Sequence, residues 1–160
     1  MNTRITSCLI LCLAATFALV GCNKTQKFST RLADSTWNVT ELVIDGTAET
    51  NLPSLEFKVC DDIYAALCEG HWKDANGEEV EFYWQLRSSS DEFELSYVAE
   101  AEEDDHGHNH AHGDVALSVM VSNLSGTYTY SDFSKTDITL MSSATGGYPG
   151  KVVTIKMTKQ

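Results

Sequence analysis

The chain has 160 residues, 23 of them acidic against 11 basic, a formal net charge of −12 and 42% hydrophobic side chains. That length and apolar content fit one globular domain and exclude a chain disordered throughout. The charge excludes sequence-independent binding of nucleic acid, which needs a basic face to displace counterions from phosphate, so no nucleic-acid partner is expected.

At the N-terminus, Arg4 supplies the one early positive charge, residues 8–20 are apolar except for Thr16, and Leu19-Val20-Gly21-Cys22 follows. The apolar run is too short for a hydrocarbon core of about 30 Å, which takes about 20 helical residues. A charged start, a short apolar stretch and a small residue before a cut are the parts of a secretory signal. Leu19-Val20-Gly21-Cys22 resembles the lipobox of bacterial lipoproteins. The resemblance implies a signal peptide over 1–21, cleavage before Cys22, and lipidation of Cys22 by diacylglycerol on its thiol and an acyl chain such as palmitate on its amine. Several acyl chains, at about 0.8 kcal/mol per buried methylene, anchor a protein stably. The mature chain, 22–160, is thus expected to have a membrane as its partner through a lipid anchor, without crossing it. Asn23 rather than Asp follows the lipidated cysteine, which by resemblance to Gram-negative sorting places the protein in the cell envelope, at the outer membrane.

Cys8 and Cys12 leave with the signal peptide and Cys22 is lipidated, leaving Cys60 and Cys68 in an oxidising compartment. These two are expected to form a disulfide. The loop it closes is short, so the chain-entropy model gives about 2–3 kcal/mol, enough to tie two strand ends together but not to supply the fold. The other readings are two inert buried thiols or metal ligands with nearby His71. Their spacing matches no zinc motif and is too long for a redox CxxC pair.

Residues 22–33 read as a polar, flexible tether, and 34–160 as the folded domain. From there hydrophobic residues recur with period two between turn signals. Residues 37–44 form the first expected strand, closed by Asp45-Gly46, and Leu55, Phe57 and Val59 alternate on the second. Residues 68–73 and 80–87 flank Asp74-Ala75-Asn76-Gly77, a hairpin signal because Asn and Gly tolerate positive φ. On the second arm Val80, Phe82, Trp84 and Leu86 share a face. Strands follow at Phe93, Leu95 and Tyr97; at Val115, Leu117, Val119 and Val121; at Tyr128 and Tyr130; at Ile138 and Leu140; and, after the reversal at 146–150, at Val153, Ile155 and Met157. The one short helical segment is expected near 61–67. Eight to nine short antiparallel strands must close into a barrel or stack as a sandwich, since an open sheet leaves sticky edges.

The start Ser35-Thr36-Trp37-Asn38-Val39, the Asp45-Gly46 turn, Gly70-His71-Trp72 after a cysteine, Phe82-Tyr83-Trp84 and the terminal strand 153–159 together resemble the bacterial (Bacteroidetes-type) lipocalin-like lipoproteins. The resemblance covers most of 22–160 by pattern and implies an all-β fold: a single antiparallel meander β-barrel of the lipocalin or calycin kind. Lipocalins proper begin with Gly-x-Trp and pack a C-terminal Arg on that Trp; here Ser35 replaces the Gly and no Arg follows Arg87. The resemblance therefore carries the fold and not the transport, and Lys156 or Lys159 is left to cover Trp37. Trp37, Phe57 and Trp84 read as core packing, although a ligand cavity would use the same residues.

The chemically distinctive segment is the loop 100–114. His106, His108, His110 and His112 recur at every second position, so an extended chain sets all of them on one side, and Gly107 and Gly113 let it curl. Neutral imidazole is a common ligand for Zn²⁺, Ni²⁺ and Cu²⁺, and Asp104, Asp105 and Asp114 add negative potential and possible oxygen ligands. Such a tract also fits a solvated insertion at a hairpin tip. His71, beside Trp72, reads as packing or surface rather than as a fifth ligand.

There is no nucleophile elbow, HExxH or phosphate loop. Asp61-Asp62 and Glu78-Glu79 read as solubility charges, so no catalytic residue and no required cofactor are expected. The expected function is that of a non-catalytic, envelope-anchored barrel binding a small hydrophobic ligand. The alternatives are divalent-metal binding or buffering through the His loop, and a protein–protein interaction module of the envelope.

Overall fold

The computed structural model describes residues 27–60, 67–87, 92–97, 115–131 and 133–160. Residues 27–32 are helical, α1. The strands are β1 (Ser35–Ile44), β2 (Thr47–Ala48), β3 (Ser54–Phe57), β4 (Cys68–Lys73), β5 (Glu79–Leu86), β6 (Glu92–Ser96), β7 (Gly126–Ser131), β8 (Asp137–Thr145) and β9 (Pro149–Lys159), with helix α2 (Val115–Leu124) before β7. Successive side chains of a strand point to opposite faces, and the burial follows: on β5, Val80, Phe82, Trp84 and Leu86 are buried while Glu79, Glu81, Tyr83 and Gln85 face outward.

Neighbouring strands pair antiparallel in the order β2-β1-β3-β4-β5-β6-β7-β8-β9, and β1 also pairs with β9. That pairing closes β1 and β3–β9 into an eight-stranded barrel, with β2 as an extra two-residue strand. Closure leaves no long edge exposed. The antiparallel strands expected from the alternation are present, and of the barrel and sandwich it allowed they form the meander barrel that the resemblance implied. β1 serves three partners: β3 along residues 35–38, β2 at Val43 and Ile44, and β9 from Trp37 to Ile44.

Two turns show how composition fixes register. Asp45 and Gly46, with φ of 51° and 83°, join the paired residues Ile44 and Thr47, the geometry of a type I′ hairpin. The connection between β4 and β5 is longer than an Asn-Gly hairpin, running over 74–78 between the paired Lys73 and Glu79. There only Gly77 has a positive φ, 88°, and the Asp74 carboxylate accepts the N–H groups of Asn76 at 2.8 Å and Glu78 at 2.9 Å.

Three expectations are corrected. Residues 115–121, read as a strand, belong to helix α2, because Leu117, Val121 and Leu124 bury one helical face while Val115 and Val119 stay 76% and 54% exposed. A short apolar run satisfies both periods, and here tertiary packing chose the helix. The tether expected over 22–33 is helical over 27–32, with Phe28 and Leu32 fully buried; the packed unit therefore includes residues ahead of position 34. Val59 lies beyond the end of β3 and is 68% exposed, since the chain leaves the sheet after Phe57. The helix expected near 61–67 falls outside the described residues except at Leu67, which is in neither helix nor strand.

α1 closes the end of the barrel where β1 begins. Phe28 stacks on Tyr130 and meets Phe93 and Phe133 edge-on, and Arg31 donates to the carbonyls of Phe133 at 3.2 Å and Ser134 at 3.1 Å. α2 lies at the opposite end, beside the start of β7 and against β5. The Tyr128 hydroxyl donates to the Leu124 carbonyl, and Ser125 Oγ accepts the Tyr97 N–H at 2.9 Å while donating to the Val121 carbonyl. Among the described residues, no helix is long and apolar enough to cross a membrane.

Candidate functional site

The barrel interior combines aromatic rings with aliphatic side chains. Trp37, Phe57, Trp72, Phe82, Trp84, Phe93 and Tyr128 have no exposed surface. Phe57 stands edge-on to Phe82 at 5.5 Å and to Trp84 at 5.6 Å, the offset arrangement that ring quadrupoles favour. Gly70 makes room for this. A Cβ there would come within 2.6 Å of a ring atom of Phe82 and 2.9 Å of the Glu56 carbonyl, so glycine is required between the registered Phe57 and Phe82.

The three indole N–H groups differ. Trp84 Nε1 donates to the Glu69 carbonyl at 3.1 Å, whereas Trp37 Nε1 and Trp72 Nε1 are buried with no acceptor among the described residues. Leu55 is registered against Trp37 on one side and Trp72 on the other, which sets both indoles in one row across β1, β3 and β4. Buried donors are nearly always paired, because an unmade hydrogen bond costs about 1–3 kcal/mol. Trp37 and Trp72 carry two such unmade bonds in one row of the interior. Thr145 Oγ1, near the α2 end of β8, is also buried and unpaired. Lys159 Nζ lies 5.9 Å from the Trp37 ring centroid, so of the two lysines considered for covering Trp37 it is Lys159 that does so. Lys156 turns away to Glu41 at 3.0 Å.

Outside, β3, β4 and β5 carry a charged lattice. Lys73 bridges Glu56 and Glu79, each at 2.8 Å, and Lys58 reaches Glu56 at 2.6 Å. Hydrogen bonds from Lys58 and then Lys73 hold the Glu56 carboxyl down to about 2, and Lys73 likewise lowers Glu79. Glu79 is therefore a fixed member of a network rather than a loose solubility charge.

Of the residues singled out in the sequence, Cys60 and Cys68 are disulfide-bonded, their Cα atoms 5.4 Å apart; the bond ties the exit of β3 to the first residue of β4. Cys22 and the tract with Asp104, Asp105, His106, His108, His110, His112 and Asp114 lie outside the described residues. The described residues bracketing the tract are Tyr97 and Val115, and Tyr97 is bonded to Ser125 just after α2. Sequence reasoning assigned Trp37 and Trp84 alike to packing and did not separate Trp84, whose N–H is used, from Trp37, nor single out Trp72. Spacing carries no signal for that difference, which depends on the Glu69 carbonyl across the β4–β5 pair.

Comparison with protein-family models, with curated proteins and with solved structures finds no match.

Proposed function

We propose that this chain is a non-catalytic, lipocalin-like binding protein held at the cell envelope by a lipid on Cys22, and that its barrel takes a small, mainly apolar ligand carrying a hydrogen-bond acceptor. The observation that carries the reading is the pair of buried donors without acceptors, Trp37 Nε1 and Trp72 Nε1, in one row of an aromatic interior. A site of this kind is apolar with a few placed polar groups. Helix α2 covers one end of the barrel, held by the packing of Leu117, Val121 and Leu124 and by the bonds of Tyr128 to the Leu124 carbonyl and of Ser125 to the Val121 carbonyl. The test is titration of the full-length chain in detergent with cis-parinaric acid, a fatty acid that reports by fluorescence. Saturable one-to-one binding, weakened about fivefold or more in Trp72→Phe, supports the reading. No saturable binding refutes it.

A second reading, divalent-metal binding by His106, His108, His110 and His112, rests on the recurrence of these histidines at every second position beside acidic residues. Calorimetry with Zn²⁺, Ni²⁺ and Cu²⁺ tests it: submicromolar binding lost on replacing the four histidines by alanine supports it, and binding weaker than about 100 μM demotes the tract to a surface insertion.

A further inference from the structure

The outer face of β3, β4 and β5 holds a histidine among carboxylates. His71 on β4 is registered opposite Glu56 on β3 and Glu81 on β5, and Glu69 stands two residues before it on the same face. Side chains on a pleated sheet meet their cross-strand and same-face neighbours, so this imidazole is surrounded by the carboxylates of Glu56, Glu69, Glu79 and Glu81. Lys58 and Lys73 are the nearby cations. Both are engaged by Glu56, and Lys73 also by Glu79. Among the described residues no lysine or arginine pairs with Glu69 or Glu81.

We propose that Glu69, His71 and Glu81 form a binding site for a divalent first-row cation of the Zn²⁺ class, separate from the His tract and from the barrel interior. One ligand atom from each residue lies within 4.8 Å of the others, and His71 Nε2 is 3.2 Å from Glu69 Oε1. Zinc bond lengths of about 2.0–2.2 Å place tetrahedral ligand atoms about 3.4 Å apart. Nε2 and Glu69 therefore already stand at that spacing, and Glu81 closes the set by a change of side-chain rotamer. The imidazole is half-buried, 22% exposed, and its orientation leaves Nε2 toward Glu69. Nδ1 is buried, lies 3.1 Å from Glu79 Oε2 and makes no hydrogen bond as placed. A small rotation lets Nδ1–H donate to Glu79, itself held by Lys73 at 2.8 Å. A carboxylate on the far nitrogen of a ligating histidine fixes the tautomer that presents Nε2 to a metal. One imidazole nitrogen, two carboxylate oxygens and remaining water suit a borderline cation better than Ca²⁺ or Mg²⁺, which prefer all-oxygen shells.

The test separates this site from the His tract. In the full-length chain purified in detergent, His106, His108, His110 and His112 are all replaced by alanine, and the protein is titrated with Zn²⁺ alone. One saturable equivalent is expected, with affinity falling at least tenfold in Glu81→Gln and in His71→Ala, and with the His71 Nε2 resonance shifted by Zn²⁺ in ¹⁵N-edited spectra. Should His71→Ala fail to fold, Glu69→Gln, exposed, and Glu81→Gln, half-buried on the outer face, carry the same comparison. Absence of a saturable equivalent after the tract is removed overturns the site. So does Zn²⁺ affinity unchanged by both glutamine variants.

Discussion

Phe28 stacks on Tyr130, their ring centroids 3.8 Å apart and their planes 4° from parallel. The contact joins a residue ahead of the first strand to β7, more than a hundred positions away, and both rings are buried. Phe28 is thus part of the core and not of a leash.

Removing that ring leaves a cavity at the α1 end of the barrel. Phe28→Ala is expected to destabilise the fold by about 3–5 kcal/mol, the usual range for deleting a buried phenylalanine. Urea unfolding checks it: the midpoint falls with little change in slope.

A methyl group at position 70 collides with the Phe82 ring and the Glu56 carbonyl. Gly70→Ala is expected to cost about 1–3 kcal/mol through overpacking, and Gly70→Ala combined with Phe82→Leu less than the sum of the two single changes. A double-mutant cycle on thermal unfolding measures the difference.

The pH dependence of stability has a named contributor. Glu56 titrates at about 2 in the fold against an ordinary value of 4.5. A carboxylate lowered in this way contributes stability that is fully present above its unfolded value and is lost as the pH falls from about 4.5 toward 2. Glu56→Gln is expected to lower stability at pH 7 and to flatten the acid limb over that window. Urea midpoints at pH 7, 4 and 2.5 check this, with the gap between wild type and variant narrowing as the pH falls.

The Cys60–Cys68 bond closes a short loop, and Cys60→Ala with Cys68→Ala is expected to cost about 2–3 kcal/mol. The far-ultraviolet circular dichroism should remain that of the barrel, since the strands are joined by their own ladder.

The strands were legible because they bury one face and expose the other: Val80, Phe82, Trp84 and Leu86 alternate in the sequence as they alternate in space, a pattern that a barrel and a sandwich share. Turn chemistry added the β1–β2 register through Asp45 and Gly46. The cysteine pair followed from counting. What was not legible had local signals that fit two answers. Val115, Leu117, Val119 and Val121 satisfy a strand, and Leu117, Val121 and Leu124 satisfy a helix; the barrel end, not the segment, decided. Phe28 and Leu32 sit among polar residues, and only their contacts across the fold reveal them as core. The Glu69, His71 and Glu81 constellation is hidden for a related reason, since its members meet through the register of β4 on β5.

The most direct test of ligand binding inside the barrel is the indole N–H spectrum of the ¹⁵N-labelled full-length chain, delipidated and then saturated with cis-parinaric acid. The chain has three tryptophans. The Nε1–H signals of Trp37 and Trp72 are expected to move downfield as they gain an acceptor, while that of Trp84, already bonded to the Glu69 carbonyl, stays in place. Three signals unmoved at saturating fatty acid, or movement of Trp84 alone, would contradict a binding site in the barrel interior.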